Sequence, residues 1–375
     1  MDVHPKVYLA GAGKFLPGQP IPWEQAEQVL GDLPDAPAHL RRWLATSKPV
    51  MRELLGIESV HYAIDPVTRE FTEDNITMAT KAATAALTEA GVAPREVDLL
   101  CYGAAHMDQM PTPSARLQEA LGIPFCTEFA IHANCTSAYK ALYLAWSLLR
   151  AGGQYHTAVV ASASMASSEL RAEYYNQAKL DKESLFLRWF LCDGAGALVL
   201  STDAARSRGF EVELVHLESL AGVKPSLMFN QRPAYWMNPA QEYAEARHHL
   251  RQQFRNALAS ETFAEKDGSV FVQGLRRMLT AGNIGAETIR HFQLNLPTRH
   301  IAETIMDECQ QLGLRPEAFY SRLDTLGYCG PPMALICVDT LLREHQCRKG
   351  ERIASFVTEV SKFMQAGFCL RYAGG

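Results

Sequence analysis

The chain has 375 residues, 47% hydrophobic and 21% charged, with a formal net charge of −5. This suits one large domain or two packed ones, and with no basic excess nucleic acid is excluded as the main partner. Nine scattered cysteines, with no Cys-x-x-Cys pair and no Cys/His zinc spacing, argue against a disulfide framework or a metal site and for a reducing cytoplasm.

In chain order, the opening residues MDVHPKVYLAGAG read as a strand-like run, without the basic patch and apolar region of a signal peptide. Arg41-Arg42, like Arg276-Arg277 later, reads as a solvated helix face. The segment from Leu87 through Gly91 to Gly103 predicts a helix end, a glycine stop, a short loop and a buried strand. A second unit follows: a strand at Glu128–Ile131, Cys135, an apolar helix ending at Ala151-Gly152-Gly153, and a strand from Thr157. The longest apolar run, Ala141 to Leu149, is interrupted by Ser147 and is too short to span a bilayer, so no membrane association is expected. The first half closes with the strand Asp193-Gly-Ala-Gly-Ala-Leu-Val-Leu200, and Ala205 to Gly209 forms a bridge.

The later half repeats the plan. Leu279 through Gly282 to Asn295 matches the Leu87–Gly103 segment with one extra loop residue, and Cys329-Gly-Pro-Pro-Met-Ala-Leu-Ile begins an apolar helix followed by a strand from Ile353. Because both pairs occur in the same order, two related α/β halves are expected, residues 1–204 and 205–375. Their apolar strands lack alternation, as strands covered on both faces do. Within the second half, 223–262 is aromatic, Met-rich and broken by proline. It reads either as a surface excursion or as a loop shaping an apolar substrate channel. The adjacent His248 and His249 point to different helix faces, which argues against a metal site.

Cys135 is the candidate nucleophile. A thiol at a helix N-terminus meets the positive end of the dipole and unpaired N–H groups, both of which favour thiolate, and those N–H groups are candidates for an oxyanion hole. Thr136, Ser137 and Ala138 leave room for a carbonyl. A buried free cysteine is otherwise an ordinary small hydrophobe.

The order strand, Asn134-Cys-Thr-Ser-Ala138, long helix, Gly-Gly, strand, then Asp193-Gly-Ala-Gly-Ala resembles the β-ketoacyl-ACP synthase III family of the thiolase superfamily. Trp43 followed by Gly56-Ile-Glu-Ser-Val-His-Tyr62 is similar to the family's opening pattern, and the likeness runs over essentially the whole chain. The resemblance implies a five-layered αβαβα fold of two duplicated halves, usually a homodimer. It also implies an acyl group loaded from acyl-CoA or acyl-ACP onto Cys135 and condensed with a second thioester, with no permanently bound cofactor. Trp43 and Arg42, with Arg41 and Lys48 nearby, are suitable types for holding the CoA adenine and phosphates.

The second half departs from the family pattern. The family's His is matched by Asn295 in one register and by His300 in another. Its Asn falls on Tyr328, and its glycine-rich C-terminal loop on Glu359-Val-Ser-Lys-Phe-Met-Gln-Ala-Gly367. Asn295 donates a hydrogen bond but cannot act as a base, and Tyr328 donates through its hydroxyl. Acyl transfer to Cys135 is therefore the secure half of the expected chemistry and decarboxylation the open half. Three functions compete: a specialised condensing enzyme, a non-decarboxylating acyltransferase using His300, His106 or His132 as base, and a non-catalytic partner of a synthase.

Overall fold

A computed structural model describes residues 4–105, 107, 110–230, 240, 244, 250–252 and 260–374. Most of the Met- and aromatic-rich stretch, including His248 and His249, lies outside the described residues, as does His106. Ten strands form the main sheet: β1 (Tyr8–Phe15), β2 (Leu99–Ala104), β3 (Thr127–His132), β4 (Thr157–Met165), β5 (Asp193–Ser201), β6 (Phe210–Ser219), β7 (Ile289–Leu294), β8 (Phe319–Tyr320), β9 (Arg352–Glu359) and β10 (Met364–Tyr372). Their spatial order is β8-β7-β9-β10-β6-β1-β5-β4-β2-β3. Counted within each half, both sets of five run third, second, fourth, fifth, first. In each half the first three of these neighbours are parallel and the rest antiparallel. The halves meet where β1 and β6 pair antiparallel through Tyr8 with Glu211 and Leu9 with Phe210. The duplicated α/β fold is thus visible in the strand order itself.

Helices cover these sheets in the expected layers. Outside the first half lies α1 (Asn75–Ala90), packed on β1, β5 and β4. Between the halves lie α2 (Ser137–Ala151) and, later in the chain, α5 (Met333–Glu344). The helix α2 packs on β2 and β4 and also on β6 and β10, whereas α5 packs on β1 and β5. Outside the second half lie α3 (Val270–Ala281), against β9 and β10, and α4 (Arg299–Gln311) beside it. The largest core cluster fills the central layer with residues of α2 and α5 and the inward faces of both sets of strands. Burial on both faces explains why β4 and β5 read as unbroken apolar runs.

Two close approaches set the central helices. A Cβ on Gly103 would sit 2.2 Å from the Ser137 carbonyl oxygen, so glycine lets α2 begin hard against β2. A Cβ on Gly196 would sit 2.7 Å from Leu335 Cβ and 2.8 Å from the Ile336 nitrogen, so the second glycine of Asp193-Gly-Ala-Gly-Ala admits α5. Asp193 is fully buried and accepts from Ala63 N–H at 2.7 Å and Ser167 N–H at 2.9 Å, tying β5 to the loop at Ala63 and to the start of the short helix Ser167–Leu170.

The helix stops differ between the halves. Helix α1 begins at a capping box, Asp74 accepting from Ile76 and Thr77 N–H at 2.8 Å, and ends at Gly91 in the left-handed region. After α3 the left-handed residue is Asn283 (φ 49°), one position beyond the expected Gly282. Asparagine tolerates that conformation, and the shift accommodates the extra loop residue.

Candidate active site at the Cys135 helix

Cys135 is half-buried at the end of the connection from β3, two residues before α2. The Tyr328 hydroxyl lies 3.2 Å from its sulfur. Tyr328 is fixed by backbone contacts: it bridges in parallel to Leu191, and its carbonyl accepts from Cys192 N–H at 3.1 Å. Its ring lies 6.3 Å from that of Phe190, inside the aromatic cluster of Phe186, Trp189 and Phe190. A first-half cysteine is therefore met by a second-half hydroxyl.

Asn295 follows directly on β7 and is buried. Its amide donates to the Tyr139 hydroxyl at 3.1 Å and the Ser355 hydroxyl at 3.2 Å, and those two hydroxyls lie 2.7 Å apart. Tyr139 comes from α2, in the first turn of the helix that Cys135 precedes, so this network joins both halves beneath the thiol. His300 is exposed in the first turn of α4, and His132 is exposed at the end of β3. The second register therefore carries its histidine to the surface, because α4 starts at Arg299 after the Thr298 cap and turns that position outward.

Two expectations about the thiol need correction. The helix start was expected to favour thiolate, yet burial, followed by the charge of Glu359, pushes the Cys135 thiol up to about 12. The Tyr328 hydrogen bond acts only partly against them. The N-terminal end of α2 is, in addition, already occupied. Glu359 Oε2 accepts from Thr136 N–H at 2.9 Å and from the Thr136 hydroxyl at 2.5 Å, and Ser137 N–H donates to the Asn134 carbonyl at 2.9 Å. The N–H groups considered for an oxyanion hole at Thr136 and Ser137 are thus already engaged. Glu359 opens the segment matched to the family's glycine-rich loop, and sequence reasoning gave it no task. The absence of glycine from the start of that loop was its only signal.

Trp43, in the helix Ala38–Leu55, is partly buried, with its ring centroid 5.1 Å from Trp189 and the Lys182 ammonium 5.3 Å from the ring. It therefore borders the same aromatic cluster as Tyr328. Arg41 and Arg42 are exposed just before it on the helix, whereas Lys48 is engaged by Glu27 at 2.7 Å.

No protein-family model matches the chain. Among curated proteins, β-ketoacyl-[acyl-carrier-protein] synthase III of Rhizorhabdus wittichii is 31% identical over 182 residues, covering 48% of this chain and 52% of the relative. The match thus spans about half that relative's length. The synthase III of Clostridium perfringens is 26% identical over 316 residues, covering 84% of this chain and 88% of the relative. The chain is thus similar to β-ketoacyl-[acyl-carrier-protein] synthase III, at about half its length with 31% identity and over most of its length with 26%. Solved structures of the same fold cover nearly all of this synthase III-like chain. They include AbyA1, a tetronic acid condensing enzyme (TM-score 0.74, 20% identity, 97% of this chain and 99% of that one). The 3-oxoacyl-[acyl-carrier-protein] synthase III of Aquifex aeolicus gives a TM-score of 0.71 at 18% identity, covering 98% and 100%. A single-substitution variant of Xanthomonas campestris OleA gives 0.74 at 16% identity, covering 98% and 97%.

Proposed function

We propose that this synthase III-like chain is a condensing enzyme. It loads an acyl group from acyl-CoA or acyl-ACP onto Cys135 and joins that group to a second thioester in a specialised fatty-acid or polyketide route. The observation that supports this reading is the contact between the Tyr328 hydroxyl and the Cys135 sulfur, 3.2 Å across the two halves. A neutral donor aimed at the sulfur stabilises negative charge there as the thiol loses its proton, and again when the thiolate leaves the acyl group. In loading, the Cys135 sulfur attacks the donor carbonyl, a new C–S bond forms, the old one breaks, and the departing CoA or carrier thiol takes the proton. Asn295 holds Tyr139 and Ser355 in place through its amide, which supports a positioning role rather than that of a base.

Trp43 with Arg42 is our proposed contact for the phosphopantetheine-bearing donor, because Trp43 borders the aromatic cluster leading to Tyr328 and Arg42, next to it on the helix, is exposed. Residues 1–204 and 205–375 are proposed as the two units, a homodimer as the working assembly, and the cytoplasm as its place. No described helix is long and apolar enough to cross a membrane.

The test is intact-mass analysis after incubation with a series of acyl-CoA and acyl-ACP donors. The expected result is an acyl adduct on the wild type that is missing from Cys135→Ala. Failure of every donor to leave a Cys135-dependent adduct overturns the reading.

A further inference from the structure

A buried carboxylate stands beside the nucleophile's neighbour, on a loop that the relationship leads one to expect to be glycine-rich. Glu359 ends β9 and is only 4% exposed. One carboxylate oxygen accepts from the Thr136 N–H and hydroxyl, the other from the Ser361 hydroxyl. All three donors are neutral, so the negative charge is held in place without being cancelled.

That charge has two chemical consequences at a thioester-condensing centre. A malonyl unit brings its own carboxylate, and two like charges in a site of low dielectric repel strongly. A neutral acceptor suffers no such repulsion, and a fixed carboxylate is a base for any acceptor that carries an acidic proton. Asn295 supplies no base, and His132 and His300 are exposed, so the carboxylate is the basic group that the described site itself provides.

Building on the proposed condensing function, we propose that Glu359 is the base of the condensation step. The acceptor is then a neutral β-ketoacyl thioester, whose C2 proton is acidified by two flanking carbonyls, rather than a malonyl thioester. The step balances without decarboxylation. Glu359 takes the C2 proton and the resulting enolate attacks the acyl carbon on Cys135. A C–C bond forms while the C–S bond to Cys135 breaks, and the released thiolate recovers the proton from Glu359. Enzyme and carboxylate return to their starting forms, and carbon dioxide is not produced.

The experiment begins with protein loaded by whichever acyl donor gives a Cys135 adduct. The loaded protein is mixed with the N-acetylcysteamine thioester of 3-oxobutanoate or of malonate, and decay of the adduct is followed by intact mass alongside carbon dioxide release. Discharge into the 3-oxobutanoyl thioester without carbon dioxide is expected, with the malonyl thioester slower. In Glu359→Gln, loading should be no slower than in wild type, because loss of the nearby charge eases deprotonation of Cys135, while discharge falls by about 100-fold or more, the range for a lost general base. Equal slowing of both steps, discharge of Glu359→Gln at the wild-type rate, or faster wild-type discharge into malonate with carbon dioxide release would each overturn the assignment. If Glu359→Gln does not fold, the comparison of the two acceptors on wild type decides. Failure to load at all overturns the condensing function itself and this inference with it. Loading followed by the wrong discharge removes the base assignment alone.

Discussion

The hydroxyl of Tyr328 lies 3.2 Å from the sulfur of Cys135, and 193 positions of chain separate the two residues. Tyr328 is buried, and its ring keeps its place in the aromatic cluster whether or not it carries the hydroxyl. Tyr328→Phe therefore removes one hydrogen bond with little change in packing. A hydrogen bond of this kind contributes about 1–3 kcal/mol when its acceptor becomes charged. Loading of Cys135 in Tyr328→Phe is expected to slow by roughly 10- to 100-fold, with thermal stability nearly unchanged. Time-resolved intact mass with one acyl donor checks this, and an unchanged loading rate would remove the hydroxyl from the chemistry.

The thiol itself should be slow. Burial and the Glu359 charge push Cys135 up to about 12, so below that value the protonated form prevails in the free protein. Alkylation by iodoacetamide at Cys135, followed by peptide mass mapping, should rise steadily from about pH 7 to about pH 10 without a plateau. Glu359→Gln removes a nearby negative charge and should shift that rise toward lower pH. A plateau near neutrality in wild type would mean that the dipole of α2 outweighs burial.

The Asn295 network joins β7, α2 and β9 in the buried centre. Asn295→Ala takes away the donor amide and leaves a small polar-lined void under Tyr139 and Ser355. A loss of about 1–3 kcal/mol is expected, read as a lower urea midpoint with an unchanged denaturant slope. No change in the midpoint would show that the network contributes orientation without stability.

Gly196→Ala tests how the central layer closes. Its Cβ would press on Leu335 and on the backbone of α5, neither of which is a flexible side-chain end. Overpacking of this kind costs about 1–3 kcal/mol or more. A melting temperature several degrees lower is expected by calorimetry, and a fully wild-type melt would mean that α5 slides freely on β5.

Local signals were enough for the elements and their repetition. Apolar runs bounded by glycine marked β2, β4 and β5, and the shared order of two helix-loop-strand units foretold the matching strand order of the halves. The relation between halves survives in sequence because covered strands and close-packed helices restrict residue type at every position. The register beyond β7 was not legible, since Asn295 and His300 differ by a length change that only the start of α4 resolves.

Cys135 was singled out from the sequence as the candidate nucleophile, by its place before an apolar helix together with the repeated halves and the family resemblance. Its protonation was decided elsewhere. The Tyr328 hydroxyl meets it from 193 positions further along the chain, and Glu359 binds its neighbour Thr136 from 223 positions beyond that residue; no spacing rule connects positions joined only by the packing of two halves. Helix-dipole reasoning used the nearest part of the chain and predicted a thiolate. Burial and a distant carboxylate oppose that effect more strongly, because in a low-dielectric interior charge acts through space rather than along the sequence.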